Sequence, residues 1–197
     1  VATGVAISTI LVWQNWNHRD LAHPSTVSIG ATMATLLLPL LLLVPGILSV
    51  WSLVDEALQQ VLPLSDQEKA MFKAMLDGSL ASAIAVCILA PVLEELFFRG
   101  VILRGFLARY SAPVAIVHSA AVFGLAHLNV YQFVGAFGMG ILLGWLYWRF
   151  KSTLPGMLLH AAYNTTVFVM YQDLDDPSDW QPPFFWWPVA LVCPSLF

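Results

Sequence analysis

Charged residues are scarce in this sequence. Only 10% of its 197 residues are Asp, Glu, Lys or Arg, and 59% are hydrophobic, whereas about 25% of a typical soluble domain is charged. This deficit excludes an ordinary water-soluble domain and indicates an integral membrane protein, for which the lipid bilayer is an expected partner. The formal net charge is −4 and there is no basic run, so nucleic acid is not an expected partner.

Cysteine and strand-like patterns are also scarce. The two thiols, Cys87 and Cys193, lie in apolar segments without the spacing of a metal site, so we interpret them as small packing residues. The apolar runs are continuous and rich in Leu and Ala, without the alternation of an outer-membrane barrel. The sequence therefore predicts an all-α fold, a polytopic transmembrane helical bundle.

Long apolar runs, by contrast, are abundant. Five of them approach the roughly 17 to 25 residues that a spanning helix needs: 26–50, 79–103, 112–128, 133–148 and 154–170. Two more, 1–13 and 184–197, look cut short, so we expect about six to eight spans in a fragment of a longer, multi-pass protein. Lys and Arg collect in the loops of one side, which predicts that this side is cytoplasmic, in a bacterial inner membrane.

A few ionisable side chains lie inside these runs, where each costs about 2.5 to 3.5 kcal/mol on insertion scales and is by default a functional hypothesis. In "EELFFR", Glu95 and Arg99 are four residues apart and can form an ion pair along the helix. Glu94 lies about 100° away around the helix and needs a donor from another helix, or a proton. We interpret Glu95 and Arg99 as a structural clamp and Glu94 as a candidate reactive carboxylate.

Two further motifs contain histidines. In "FGLAH", Phe123 and His127 share a helical face, and in "HAAYN" the same spacing aligns His160 with Asn164. A carboxylate with an imidazole can deprotonate a water, and an imidazole with an amide can donate to the oxygen of a tetrahedral intermediate. Convergence of the three motifs on one cavity therefore predicts amide hydrolysis within a membrane. His118 faces another direction and is interpreted as an ordinary packing residue.

Depth in the membrane is an obstacle to this convergence. Glu94 falls in the cytoplasmic half of 79–103, whereas His127 is about 21 Å into a span that begins on the same side. We therefore expect a tilted or offset helix at 112–128 and a water-filled entrance to a buried site.

The ordered set "EELFFR", "FGLAH" and "HAAYN" resembles the signature of the CPBP family of intramembrane proteases, which includes Rce1-type CAAX prenyl endopeptidases and bacteriocin-processing, Abi-type relatives. The resemblance covers roughly residues 80–170. It implies that Glu94 is the general base acting on water with His127, and that His160 and Asn164 stabilise the oxyanion. It implies supporting roles for three other residues: Glu95, Arg99 and Phe123.

The resemblance leaves the metal and the substrate open. Members are described as metalloproteases, which would place zinc on Glu94, His127 and His160. They are also described as glutamate-dependent without metal, and we favour this chemistry because no His-Glu-x-x-His occurs. The expected substrate is a membrane-associated or prenylated peptide or protein. Two other functions stay open, a non-proteolytic scaffold or immunity-type protein of the same fold and a proton-coupled transporter.

Three regions follow from these patterns. Residues 1–78 are expected to contain N-terminal transmembrane helices and an interfacial segment, 79–171 the CPBP-like catalytic core, and 172–197 an acidic loop and the start of a C-terminal helix. The interfacial segment, 53–76, alternates apolar and charged residues at helical spacing, and Ser65 opens a capping box with Glu68.

Overall fold

The computed structural model describes residues 21–172, and within this range the chain forms helices and no strands. Six helices follow one another: α1 (Ile29–Val61), α2 (Asp66–Met75), α3 (Leu80–Leu107), α4 (Ala112–Leu125), α5 (Val130–Phe150) and α6 (Leu154–Tyr171). The all-α prediction is confirmed. The predicted terminal spans, 1–13 and 184–197, and Cys193 lie outside the described residues.

Within the described range, three helices are long and apolar enough to cross a membrane: α1, α3 and α5. The surface of α1 fits this role, because Leu38 and Leu42, one turn apart, are 64% and 69% exposed. The other two predicted spans, α4 and α6, are helical, but neither is both long enough and apolar enough to meet this description. α4 is about 21 Å long, shorter than a hydrocarbon core of about 30 Å, and α6 is made less apolar by His160 and Asn164.

α1 is longer than the sequence pattern predicts. The helix does not end at residue 50 but continues to Val61, so the predicted interfacial segment 53–76 is divided between the end of α1 and the separate helix α2. The capping box at the start of α2 is confirmed: the Glu68 backbone N–H donates to Ser65 Oγ at 3.3 Å, and the Ser65 N–H donates to the Glu68 carboxylate at 2.9 Å. The Ser65 hydroxyl also donates to the Glu68 carboxylate at 2.7 Å, and this bond, together with the one from the Ser65 N–H, lowers the pKa of Glu68.

Close packing of α4 on α5 depends on small residues. A Cβ on Gly140 would lie 3.0 Å from Ala120 Cα, and one on Gly144 would lie 3.1 Å from Ile116 Cγ2. Side chains on these two glycines would push the helices apart, so Gly140 and Gly144, one turn apart on α5, serve close packing. The largest buried cluster joins α1, α5 and α6 through Leu40, Val44, Leu48, Met139, Leu143, Leu146 and Leu159.

α3 is longer than predicted, which reduces the difference in depth that the sequence analysis expected between Glu94 and His127. α3 continues one turn past residue 103 to Leu107, which puts Glu94 about 20 Å from that end of the helix. His127 is about 22 Å from the start of α4 by the same rise per residue. The two residues therefore lie at similar distances along the chain from the ends of α3 and α4 that the loop 108–111 joins, and the tilt or offset expected for 112–128 stays a prediction.

Candidate active site

A cavity of about 520 Å³ lies among all six helices, with α4 contributing near its C-terminal end. Its wall includes all four residues predicted to be catalytic, Glu94, His127, His160 and Asn164, and also Phe123. They come from three separate parts of the chain: α3, the end of α4 and α6. The expected convergence of the three motifs is thus observed in the geometry, while the chemical role of each residue stays a prediction.

His160 lies between two carboxylates. Its Nδ1 is 3.3 Å from Glu95 Oε1, and its Nε2 is 3.8 Å from Glu94 Oε2. The first distance is within hydrogen-bond range, whereas the second leaves Glu94 without a direct hydrogen bond to the ring. Glu94 is half-buried in the cavity wall, and Glu95 is fully buried behind it. Of these two carboxylates, therefore, only Glu94 can contact a ligand in the cavity.

The predicted clamp between Glu95 and Arg99 is confirmed and also supports the histidines. Arg99 Nη1 donates to Glu95 Oε1 at 2.7 Å, and both side chains are at most 1% exposed. The guanidinium carbon lies 4.4 Å from the centre of the Phe123 ring. That ring is in turn 5.0 Å from the His127 ring and 5.9 Å from the His160 ring. The Phe123 ring therefore contacts Arg99 of the ion pair and both imidazoles, while His160 also contacts Glu95 directly.

The position of His127 differs from the predicted one. α4 ends at Leu125 instead of residue 128, so His127 lies in the turn that follows the helix, just before Leu128 with its left-handed φ of 55°. Its Nδ1 is 2.9 Å from the Phe123 carbonyl oxygen. A carbonyl can only accept, so Nδ1 carries the proton and Nε2 is left as a base or acceptor.

Asn164 is oriented by an irregular turn of α3 that the sequence analysis missed. In the π-helical turn Ala85–Leu89 the Ala90 N–H bonds to the Ala85 carbonyl, five residues back. In that register the Val86 carbonyl would accept from residue 91, but Pro91 has no N–H. Asn164 Nδ2 donates to this free carbonyl at 3.0 Å. A proline inside a predicted span was the available signal.

A second missed residue is Gly156 at the start of α6. A Cβ built on it would lie 2.6 Å from Glu95 Oε2, so only glycine lets the buried carboxylate approach this closely. The Glu95 Oε2 and Arg99 Nε atoms have no hydrogen-bond partner among the described residues. The available signal in the sequence was Gly156 directly after Pro155, at the start of a predicted span.

Replacing Gly156 by Ala should therefore disturb the site. The added methyl must displace the Glu95 carboxylate, and overpacking of this kind costs about 1 to 3 kcal/mol. We expect a lower unfolding temperature in detergent and a weakened Glu95–His160 contact. Gly105→Ala is the matched control because a Cβ there meets nothing within 4 Å. Equal stability of the two variants would contradict the close approach.

His118, as expected, takes no part in the site. It is exposed, its Nδ1 lies 2.7 Å from the Val114 carbonyl oxygen, and its ring stacks on Tyr110 at 6.0 Å. It does not line the cavity. His118→Ala is therefore a suitable control for histidine variants of the site.

The side chains do not fit a zinc site in the arrangement described. No group of three His, Cys, Asp or Glu side chains within 21–172 is placed to hold a metal ion. The candidate set of Glu94, His127 and His160 shares the cavity, but it does not converge on one point.

The fold and this cavity define a helical integral membrane protein with a carboxylate, two imidazoles and an amide gathered within its helical bundle. Residues 77–166 match the family model described as "Type II CAAX prenyl endopeptidase Rce1-like". This match covers just under half of the chain and supports its similarity to the CPBP family, in which the sequence analysis grouped the Rce1-type endopeptidases. It confirms the resemblance stated from the three motifs.

A curated protein of Bacillus subtilis (strain 168), described as "Putative membrane peptidase YdiL", is similar to part of the chain. The two are 29% identical over 87 residues, which are 44% of this chain and 36% of the relative. The chain thus covers about a third of the length of that protein. No solved structure matches the chain.

Proposed function

We propose that this protein is a membrane endopeptidase that hydrolyses a peptide bond with a water activated by Glu94. The observation that carries the proposal is the 3.8 Å approach of Glu94 Oε2 to His160 Nε2 in a cavity that His127 and Asn164 also line. The family match and the description of the Bacillus relative support a membrane protease.

The reaction begins at the pair of Glu94 and His127. Glu94 takes a proton from a water that the free Nε2 of His127 orients, and the water oxygen attacks the carbonyl carbon of the scissile bond. Glu94 then gives the proton to the leaving nitrogen as the C–N bond breaks. The products are a peptide with a new carboxylate and a peptide with a new amine.

The developing oxyanion is assigned to His160 and Asn164. Asn164 uses one N–H on the Val86 carbonyl, and an amide nitrogen has a second N–H to donate to substrate. For His160 to donate from Nε2, its ring has to carry protons on both nitrogens, because Nδ1 faces the Glu95 carboxylate. A donor of this kind is worth about 10²- to 10³-fold in kcat.

The substrate class follows from the wall of the cavity. Most of its lining is apolar and aromatic, with residues such as Leu58, Phe72 and Met75. A wall of this type suits an apolar, membrane-associated or prenylated peptide better than a soluble polar one. We place the activity in a bacterial inner membrane, and we propose the metal-free, glutamate-dependent chemistry over the metallopeptidase alternative.

The test is cleavage by the purified protein in detergent, with a panel of farnesylated, unmodified and transmembrane peptides analysed by mass spectrometry. We expect one cleaved bond in at least one class and loss of cleavage in His127→Ala, with His118→Ala as the control. Binding without cleavage would favour the scaffold function instead. Ion flux into proteoliposomes that depends on Glu94 would favour the transporter.

A further inference from the structure

One carboxylate in the cavity wall has no part in the proposed chemistry. α1 turns one helical face toward the cavity, formed by Trp51, Val54, Asp55 and Leu58. Asp55 is the only charged residue on this face and is half-buried. Gln59, one turn further along, donates to Asp55 Oδ2 from Nε2 at 3.3 Å.

Asp55 has no cationic partner in the part of the chain that the structure describes. The cavity lining drawn from these residues contains no Lys or Arg, and the ion pairs found there involve other carboxylates. The amide of Gln59 is neutral and cannot compensate a negative charge. A half-buried carboxylate without a counter-ion is costly, and a positively charged ligand would complete the pair.

Aromatic rings accompany this carboxylate. Trp51 on α1, one turn before Asp55, Tyr131 on α5 and Tyr163 on α6 all line the same cavity as Asp55. The Tyr131 hydroxyl donates to the Leu62 carbonyl, which fixes this ring in the wall. A carboxylate beside aromatic faces is the combination that binds ammonium and guanidinium groups.

Asp55 is also separate from the part of the chain that the family comparison covers. It lies on α1, whereas the family model matches residues 77–166. Glu94, on α3, lines the same cavity, so a peptide that fills the cavity contacts both carboxylates. Glu94 therefore acts at the reacting bond, and Asp55 faces another part of the substrate.

We propose that Asp55, with Trp51, Tyr131 and Tyr163, is a specificity subsite that binds a Lys or Arg side chain of the peptide substrate. This inference rests on the proposed function, because it names a feature of the substrate that the same cavity accepts. The cation pairs with the Asp55 carboxylate and lies against the aromatic rings. No covalent step takes place at this subsite.

The test uses three peptides that are identical except at one position near the scissile bond, with Lys, norleucine or Glu. For the full chain in detergent we expect kcat/KM to favour the Lys peptide over the norleucine peptide by roughly tenfold. Asp55→Asn should bring this ratio close to 1, and Asp55→Lys should make the Glu peptide the preferred one. The ratio should stay at the wild-type value in Glu56→Gln, since Glu56 is exposed and outside the cavity.

A binding measurement separates failure of the subsite from failure of the proposed function. Dissociation constants of the three peptides are measured by fluorescence anisotropy with Glu94→Gln protein, with and without Asp55→Asn. If no peptide is cleaved by the wild type, the protease proposal fails, but the ratio of dissociation constants still tests Asp55. Equal affinities for the Lys and norleucine peptides, or a Lys preference that survives Asp55→Asn, would overturn the subsite.

Discussion

Replacing Glu94 by Gln should lower kcat for peptide cleavage by roughly 10²- to 10⁴-fold, the contribution typical of a general base. The amide has nearly the same shape as the carboxylate, so the cavity and the fold should be preserved, but it cannot take a proton from water. The measurement is kcat on a cleaved peptide together with the unfolding temperature. We expect kcat to fall and the unfolding temperature to stay close to the wild-type value.

The control for this variant is Glu56→Gln, the same chemical change on an exposed carboxylate of α1. It should retain wild-type kcat. If Glu94→Gln and Glu56→Gln are equally active, Glu94 is not the base. If Glu94→Gln is inactive only because it unfolds, Glu94→Asp separates the two causes, because it retains the acid and should recover part of the activity.

Arg99→Met should be the most destabilising single change among those considered. It leaves the Glu95 carboxylate, which is 0% exposed, without its ion-pair partner at 2.7 Å. Breaking a buried pair in this way costs about 3 to 5 kcal/mol, whereas replacing both partners by apolar residues costs much less. We therefore expect a large fall in the unfolding free energy for Arg99→Met and recovery of most of it in Glu95→Met/Arg99→Met.

Arg149→Met is the matched control for this prediction. Arg149 is exposed at the end of α5, and loss of an exposed side chain usually changes the unfolding free energy by at most about 0.5 kcal/mol. Thermal and denaturant unfolding in one detergent would compare the four proteins. An Arg99→Met protein as stable as the Arg149→Met protein would show that Glu95 does not depend on Arg99.

Much of the fold could be read from the sequence because helix periodicity and spacing are local. The pairing of Glu95 with Arg99 and the capping box at Ser65 each depend on residues within a turn or two of one helix. The ends of the helices were predicted less well from the sequence. α1 runs past residue 50 and α3 past residue 103, because polar residues at those points remain helical when neighbouring helices pack against them.

The parts of the site that the sequence did not reveal depend on contacts between distant segments. Gly156 matters because Glu95, from another helix, approaches it, and Pro91 matters because Asn164 takes the carbonyl that it leaves free. The sequence predicted Asp55 to be one of several charges in an interfacial segment, whereas in the structure it lies on α1 and lines the cavity. Local patterns predict which residues share a face, but not which distant residue they meet.

The most direct test of the central claim is cleavage of one peptide in H₂¹⁸O by wild-type and Glu94→Gln protein of measured metal content. The account predicts that the wild type introduces one ¹⁸O into the new carboxylate, that turnover does not follow the metal content, and that Glu94→Gln abolishes the label. Equal labelling by the two proteins would contradict the account, because the water would then be activated without the Glu94 carboxylate.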